Sequence, residues 1–396
     1  MSRRRCFSQA LAPPAPLDNN DLLEEILLRL PPEPSSLPRA SAVCKPWRGI
    51  VSDPQFISRF RKHHRKPPLL GFFAGLVGAT RFFTPVLESP NRIPAARFFL
   101  PQSQHPRDQW RFLGCRHGLA ILANEYQHEV IVWDPLTGQQ HNIPFPPGLR
   151  NNKSGPVWRC NAAVLCADSM DGHVHGDCFS SPFKLVLACG GYKQINSCLY
   201  DSVSRAWGDI VSMVTAHGIL PIRSNVLIGN TVYWLLSGKG ILAFDTETQT
   251  LCEIENPVDA HCNCCWFCQP LQIDGGTGLG LAVMSKLSIQ LWERKSNCCG
   301  VLGWVMMQKT IQLEGMFSWR MPRDDKWVFL VGYDEDTNVI VLSTMIGNFV
   351  LQLESTQIWK ISERDANKNY YMEFYPYTNF YTTGRKAEWK RMDLKL

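Results

Sequence analysis

Three segments of this chain repeat one short pattern. Val132-Trp133-Asp134-Pro135-Leu136-Thr137-Gly138, Leu199-Tyr200-Asp201-Ser202-Val203-Ser204-Arg205-Ala206-Trp207 and Ala243-Phe244-Asp245-Thr246-Glu247-Thr248-Gln249-Thr250-Leu251 each run from an apolar pair through an aspartate into turn-forming residues. Weaker copies are Leu291-Trp292-Glu293 and Gln352-Leu353-Glu354-Ser355-Thr356-Gln357-Ile358-Trp359. An aspartate carboxylate can accept from the backbone N–H two residues on, and so starts a tight turn between two strands. The acids are spaced 67, 44, 48 and 61 residues apart. The shorter intervals fit a four-stranded propeller blade of about 40–50 residues, and the longer ones leave room for insertions such as Asp168 to Ser181.

A second strand signal precedes several copies. It reads Gly118-Leu119-Ala120-Ile121-Leu122, Asn230-Thr231-Val232-Tyr233-Trp234-Leu235, Gly280-Leu281-Ala282-Val283 and Val339-Ile340-Val341-Leu342. Gly229-Asn230 ahead of one of them reads as a hairpin turn. Residues 69–396 number 328. Divided by about 47 residues per blade, they predict a β-propeller of about seven blades, with six or eight also compatible. Ring closure predicts that Tyr371-Met372-Glu373-Phe374-Tyr375 completes the blade begun at Leu69-Leu70-Gly71-Phe72-Phe73.

The N-terminal part has a different period. Asp21 with Glu24 fits a capping box, and Leu22, Leu23, Ile26, Leu27 and Leu30 follow as an apolar stripe. Pro31-Pro32 ends that helix. Ser35 or Ser36 can cap a second helix with Leu37, Ala40, Val43 and Cys44 on its inner side. A third segment carries Trp47, Ile50 and Val51 and ends near Ser52-Asp53-Pro54. The expected organisation is a disordered stretch over 1–16, a three-helix unit over 17–60, a basic linker over 61–68 and the β-rich domain over 69–396. The fold class is thus α plus all-β, in two domains. Three short helices enclose a very small core, and so much apolar surface predicts a partner that completes it.

These helical residues resemble an F-box. The resemblance is carried by Leu17-Asp18-Asn19-Asn20-Asp21-Leu22-Leu23-Glu24-Glu25-Ile26-Leu27-Leu28-Arg29-Leu30-Pro31, then Leu37-Pro38-Arg39-Ala40-Ser41-Ala42-Val43-Cys44-Lys45-Pro46-Trp47-Arg48 and Val51-Ser52-Asp53-Pro54-Gln55-Phe56. The whole chain looks like a plant F-box protein of the large grass type, and its β-rich part is similar to the kelch-like or F-box-associated region of such proteins. One departure is Pro46, which stands where the family usually has a basic or polar residue. Inside a helix it would cost about 3 kcal/mol, whereas in the first turn of a restarted helix it is tolerated.

The resemblance implies a substrate receptor of a Skp-cullin-F-box (SCF) ubiquitin ligase. The F-box would dock on a Skp-type adaptor, and through it on a cullin-RING ligase, while the propeller captures a target protein. The adaptor contacts it implies are Leu22, Leu23, Ile26, Leu27, Leu30, Pro31, Leu37, Val43, Cys44 and Trp47. Several of these could equally pack the helices internally. Two other readings stand beside it: an adaptor-independent protein-binding scaffold, motivated by Pro46, and a kelch-type sugar-binding or enzymatic propeller. The last predicts an extracellular route and metal or carboxylate groups in the central channel.

Charge and cysteine usage narrow the classes further. The net charge of +6 is carried by Arg3 to Arg5, by Arg59, Arg61, Lys62, Arg65 and Lys66, and by the tail from Gly384, which leaves the remainder at −5. A nucleic-acid-binding body would concentrate positive charge on a folded face, so the pattern argues against one. No apolar run reaches the roughly 20 residues that span a bilayer. The 15 cysteines invite a secreted, disulfide-rich reading, but residues 1–16 hold no apolar signal-peptide core. The thiols are therefore expected to be reduced, in cytoplasm or nucleus.

Catalytic and cofactor motifs are sparse. The nearest metal candidate is Cys252, His261, Cys262, Cys264, Cys265 and Cys268, with Cys298 and Cys299; Cys265 and Cys268 have zinc-knuckle spacing. Adjacent cysteines alternate faces on a strand and cannot all converge, so a thiol-rich loop is the simpler expectation. His173, His175 and Asp177 sit in a Gly-rich stretch. Gly275-Gly276-Thr277-Gly278-Leu279-Gly280 lacks the following helix that a dinucleotide site needs and reads as a turn. No catalytic group, metal or cofactor is assigned.

Overall fold

The computed structural model describes residues 19–75, 82–98, 110–124, 127–150, 159–166, 178–179, 181–190, 193–220, 223–238, 240–258, 265–296, 300–316, 327–363 and 373–381. The stretches 1–16 and 168–177, with His173, His175 and Asp177, lie outside them. The chain divides into two compact units, one built on residues up to Arg65 and one on Lys66–Asn379.

Among its described residues the first unit has four helices rather than the expected three: α1 (Asn20–Leu28), α2 (Ser36–Val43), α3 (Lys45–Val51) and α4 (Pro54–His64). The fourth arises because Asp53 is a helix cap, not a terminator. Its carboxylate accepts from Gln55 N at 3.1 Å, and Pro54 sits in the first turn, where a missing N–H costs nothing. α4 buries Phe56 and Phe60, so residues 61–64 of the expected linker are its last turn. Basic residues there suit the negative end of the helix dipole.

The cap of α1 is Asn19, two residues before the expected Asp21. Asn19 Oδ1 accepts from Asp21 N at 2.9 Å and Leu22 N at 3.3 Å. Asn19→Ala is expected to lower stability by about 1 kcal/mol, read as an earlier loss of helical circular dichroism on heating. Pro46 lies in the first turn of α3. Cys44 is extended between α2 and α3, so the chain restarts a helix there and no helical hydrogen bond is lost.

The second unit is a propeller of six blades, fewer than the expected seven. Its strands in chain order are β1 (Leu69–Gly75) and β2 (Phe82–Pro85); β3 (Trp110–Arg116), β4 (Leu119–Asn124), β5 (Glu129–Trp133) and β6 (Gln140–Pro144); β7 (Arg159–Cys166), β8 (Phe183–Gly190), β9 (Gln194–Asp201), β10 (Ala206–Trp207) and β11 (Val211–Val214). There follow β12 (Val226–Ile228), β13 (Thr231–Leu235), β14 (Gly240–Asp245) and β15 (Thr250–Glu255); β16 (Cys268–Ile273), β17 (Gly278–Ser285), β18 (Ser288–Ser296) and β19 (Leu302–Gln312); β20 (Val328–Asp334), β21 (Val339–Thr344), β22 (Gly347–Gln352) and β23 (Ile358–Ser362); and β24 (Glu373–Thr378). β1 and β2 with β24, β3–β6, β7–β11, β12–β15, β16–β19 and β20–β23 each form one antiparallel sheet. Dividing the length evenly overestimated the blade number because the strands are unevenly spaced along the chain: β2 ends at Pro85 and β3 begins at Trp110.

Closure of the ring follows the sequence expectation. β24 pairs with β1, placing Phe72 opposite Pro376 and Phe73 opposite Tyr375. First and last parts of the domain thus share one sheet, and loop-closure entropy is offset by an entire ladder of backbone bonds.

The inner ring consists of β24, β3, β7, β12, β16 and β20. Adjacent members touch, or are tied by Asn161 and Asn225 where β7 faces β12. Apolar clusters fill the spaces between neighbouring blades: Leu113, Ile121 and Val132 with Val164, Leu185 and Cys198 in one, and Leu235, Ile241 and Leu281 with Leu330 and Leu342 in another.

The repeated aspartates do what their spacing suggests. Asp134 Oδ1 accepts from Leu136 N, Asp201 Oδ1 from Val203 N and Asp245 Oδ1 from Glu247 N, at 2.9, 2.7 and 2.9 Å. N–H bonds from Ser204 and Thr248, with those from Val203 and Glu247 behind them, favour the ionised carboxylate and hold Asp201 and Asp245 below the usual range. The weaker copies differ. Glu293 lies inside β18 rather than at a turn. Asp334 supplies a fourth turn of this kind, accepting from Thr337 N at 2.8 Å.

The expectation of uniformly reduced thiols is corrected at Cys268, which is disulfide-bonded, and at a pair on neighbouring strands. Cys160 on β7 and Cys189 on β8 are direct cross-strand partners and form a disulfide, their Cα atoms 4.2 Å apart. Pairing register, which brings residues 29 apart in sequence face to face, decides this. Six cysteines are free among the described residues, and burial pushes the Cys198 thiol up to about 12.

Candidate functional site

The helical unit sorts its ten expected contact residues by burial. Leu23, Leu27 and Leu37 are buried, at 1, 0 and 4% exposure, and hold the helices together. Leu22 and Ile26 lie on the adjacent face of α1 and are 49 and 43% exposed, and Val43 at the end of α2 is 62% exposed. Pro31 and Cys44 are exposed, while Leu30 and Trp47 are half-buried. Leu22 and Ile26 are one turn apart and share a face; Leu23 and Leu27 share the neighbouring one, about 100° around the helix. An apolar pair left in water beside a closed core is a surface suited to a partner. Arg59 binds Glu24 and reaches Glu25 Oε1 at 3.3 Å, tying α4 to α1. These groups are half-exposed and contribute little on their own.

The propeller centre carries a second constellation. Arg116 at the end of β3 donates through Nε to Glu335 Oε1 at 2.5 Å and through Nη2 to Glu335 Oε2 at 3.2 Å. Glu335 Oε2 also accepts from Leu227 N at 3.1 Å, and Arg116 Nη2 lies 3.4 Å from Asn225 O. One ion pair thus joins three alternate blades across the channel. Arg223, 1% exposed, donates to Leu330 O and Cys268 O and lies over the Trp266 ring at 4.8 Å. Asn161 Nδ2 donates to Leu220 O and Arg223 O, both at 3.0 Å. These bonds satisfy backbone carbonyls that the short inner strands leave unpaired.

Next to the ion pair is a small cavity of about 30 Å³, lined by Arg116, His117, Ser224, Asn225, Asp334 and Asp336 among others. The turn into it needs two positive φ values, supplied by His117 at 53° and Gly118 at 79°. A Cβ on Gly118 would stand 2.4 Å from Asn379 Nδ2, so the backbone approaches as closely as only glycine permits. Burial, with Asp336 second, pushes Asp334 up to about 7.

Comparison with known proteins decides the family. Residues 111–382 match the family described as "F-box protein AT5G49610-like, beta-propeller", and residues 19–59 match the F-box domain. The chain belongs to the F-box proteins with a β-propeller region. The F-box/LRR-repeat/kelch-repeat protein At2g27520 of Arabidopsis thaliana is 25% identical over 303 residues, which cover 76% of this chain and 74% of that protein. The Arabidopsis thaliana F-box/kelch-repeat protein At3g61590 is 25% identical over 226 residues, 56% of this chain and 52% of its own. This chain thus spans about three quarters of the first of these relatives and about half of the second.

In this F-box protein the thiol-rich region does not assemble a metal site among the described residues. Cys252 is exposed on β15 and Cys268 is buried on β16, while His261, Cys262, Cys264, Cys298 and Cys299 lie outside the described residues. Gly275 and Gly276 form the turn between β16 and β17. Sequence reading missed Arg116, Arg223, Ser224 and Glu335. The available signal was a charged residue closing an apolar strand, as in Phe112-Leu113-Gly114-Cys115-Arg116, and the acidic triplet Asp334-Glu335-Asp336.

Proposed function

We propose that this F-box protein is the substrate-recognition subunit of an SCF-type ubiquitin ligase, docking on a Skp-type adaptor and capturing a target protein through its propeller. The observation that carries the reading is the exposed apolar face of α1, Leu22 and Ile26, on a unit whose core is already closed by Leu23, Leu27, Leu37 and Phe56. Val43, Cys44, Pro31 and the half-buried Leu30 and Trp47 extend the candidate contact surface. Leu23, Leu27 and Leu37 act behind it, by holding the helices in place.

The chain itself forms and breaks no bond in this scheme. The target is ubiquitinated because tethering raises its effective concentration near the charged conjugating enzyme. The cullin-RING ligase is reached through the adaptor. The work takes place in cytoplasm or nucleus, and among the described residues no helix is long and apolar enough to cross a membrane. Pro46, which motivated an adaptor-independent scaffold, lies in a first turn and gives that reading no support.

The test is co-purification of the full chain with a Skp-type adaptor. Stoichiometric capture is expected; a folded wild-type chain that captures none would overturn the proposal.

A further inference from the structure

The outermost strands of the blades differ in how they meet solvent. Such a strand presents a row of unpaired N–H and C=O groups, which invites a further strand unless charge, proline or shortness discourages it. β2 and β6 end in Pro85 and Pro144, β15 carries Glu253 and Glu255, and β23 carries Lys360. β10 and β11 have only two and four residues. β19 has 11 residues, and from Leu302 to Gln308 it holds neither charge nor proline. It ends its sheet beside β18, and its outer side pairs with no strand among the described residues.

The geometry makes this edge reachable. β17 pairs with β18 only as far as Glu293, whereas Arg294, Lys295 and Ser296 go on to pair with Trp304, Gly303 and Leu302. The last three residue pairs of the β18–β19 hairpin thus stand clear of the β17 ladder. Along this arm Leu302, Val305 and Met306 are 58, 53 and 52% exposed. The register with β18 shifts beyond Met306, so the regular edge is Leu302–Met306, with Trp304 at its midpoint. Trp304 is held by donating through Nε1 to Glu255 O at 2.8 Å.

Charge and symmetry name the occupant. The charged groups around the edge are engaged within the chain. Lys295 Nζ binds Glu293 Oε2 at 2.5 Å, the Arg294 guanidinium lies 5.9 Å from the centre of the Trp304 ring, and Lys309 Nζ donates to Leu353 O at 2.6 Å. A chain of net charge +6 meets its own copy with least repulsion along a neutral seam of this kind. Two such edges, turned antiparallel about Trp304, set Leu302 of one copy against Met306 of the other and Gly303 against Val305. Every cross-strand pair then joins uncharged residues, which is what stabilises a sheet.

We infer that the Leu302–Met306 edge of β19 is a self-association surface, on which a second copy of this chain adds its own β19 in antiparallel register and two blades become one continuous sheet. The contact is isologous, as a two-fold dimer requires. It is small, which places it among weak and transient interfaces. The inference goes beyond the receptor reading and does not depend on it.

The test is sedimentation of the full chain from about 1 to about 200 μM, a range that spans weak association. A non-reducing gel excludes copies joined through the exposed Cys44 or Cys252. A reversible shift from 45.0 kDa towards twice that mass is expected, half complete on the order of tens of micromolar. Amides of Leu302–Met306 are expected to exchange with solvent about fivefold more slowly at the top of the range than at the bottom. Val305→Lys and Leu302→Lys each place a charge at an exposed position. Each is expected to raise the dissociation constant about tenfold with an unchanged melting midpoint; if either unfolds, the other carries the comparison. A wild-type chain that stays monomeric throughout would overturn the inference and leave the edge to a different polypeptide. A dimer that the folded variants leave intact, exchange at Leu302–Met306 that ignores concentration, or growth into open-ended oligomers would overturn it as well.

Discussion

Replacing Ile26 by aspartate is expected to abolish capture of a Skp-type adaptor while the chain stays folded. Ile26 is 43% exposed, so the free protein tolerates a charge there. In a complex the same position would be desolvated. The loss combines about 1.5–3 kcal/mol for the buried aliphatic side chain with the cost of removing a carboxylate from water. Together these exceed a hundredfold in affinity. Leu22→Asp acts through the same face and should behave alike.

Leu27→Asp provides the contrast. Leu27 has 0% exposure, and a carboxylate there has no partner that could offset its burial. That variant is expected to melt the helical unit, so lost capture would not identify a contact. The two outcomes are separated by helical circular dichroism and by adaptor titration on the same samples. Full adaptor binding by folded Ile26→Asp would show that the exposed face of α1 is not the docking surface.

Glu335→Ala is expected to destabilise the propeller by about 3–5 kcal/mol, because it leaves the Arg116 guanidinium buried without its counter-ion. The side chains are 5 and 13% exposed, so water recovers little of the lost interaction. The backbone N–H of Leu227 loses its acceptor as well. Chemical denaturation followed by tryptophan fluorescence would report the change as a lower midpoint. Replacing both partners, as Arg116→Met with Glu335→Leu, should recover much of the loss, since a buried pair and an apolar pair are often near equal in stability. An unchanged midpoint in Glu335→Ala would mean that the pair does not tie the blades together.

Much of the fold was legible in the sequence where a local rule acts within one hairpin. The Asp134, Asp201 and Asp245 turns could be read because their bonds reach only two residues along the chain. The hairpin at Gly229-Asn230 joins β12 to β13 as expected, with Ile228 opposite Thr231. The strand opened at Leu69 finds its partner at Glu373–Thr378 because both runs are apolar and ring closure brings them together on the edge of β1 that β2 leaves open.

Features that depend on counts or on distant partners were not legible. Blade number hangs on how many residues fall between strands, and those residues carry no period. The fourth helix was hidden by Asp53-Pro54, a pair that serves equally to stop a helix or to start one. Burial divided the apolar stripe of α1 into Leu23 and Leu27 inside and Leu22 and Ile26 outside, which spacing alone leaves undecided.

The residues by themselves determined that this chain holds a small helical unit followed by a ring of antiparallel sheets, because helix periodicity and tight turns are local properties. Only the tertiary structure decided that Arg116, Glu335 and Leu227, from blades far apart in the chain, meet at one point. It also decided that Cys160 faces Cys189 and that Ser224 lines a cavity with its hydroxyl unpaired. The reason is physical: closing the ring brings inner strands within bonding distance irrespective of sequence separation, and burial there ties a few ordinary polar residues into one hydrogen-bonded network.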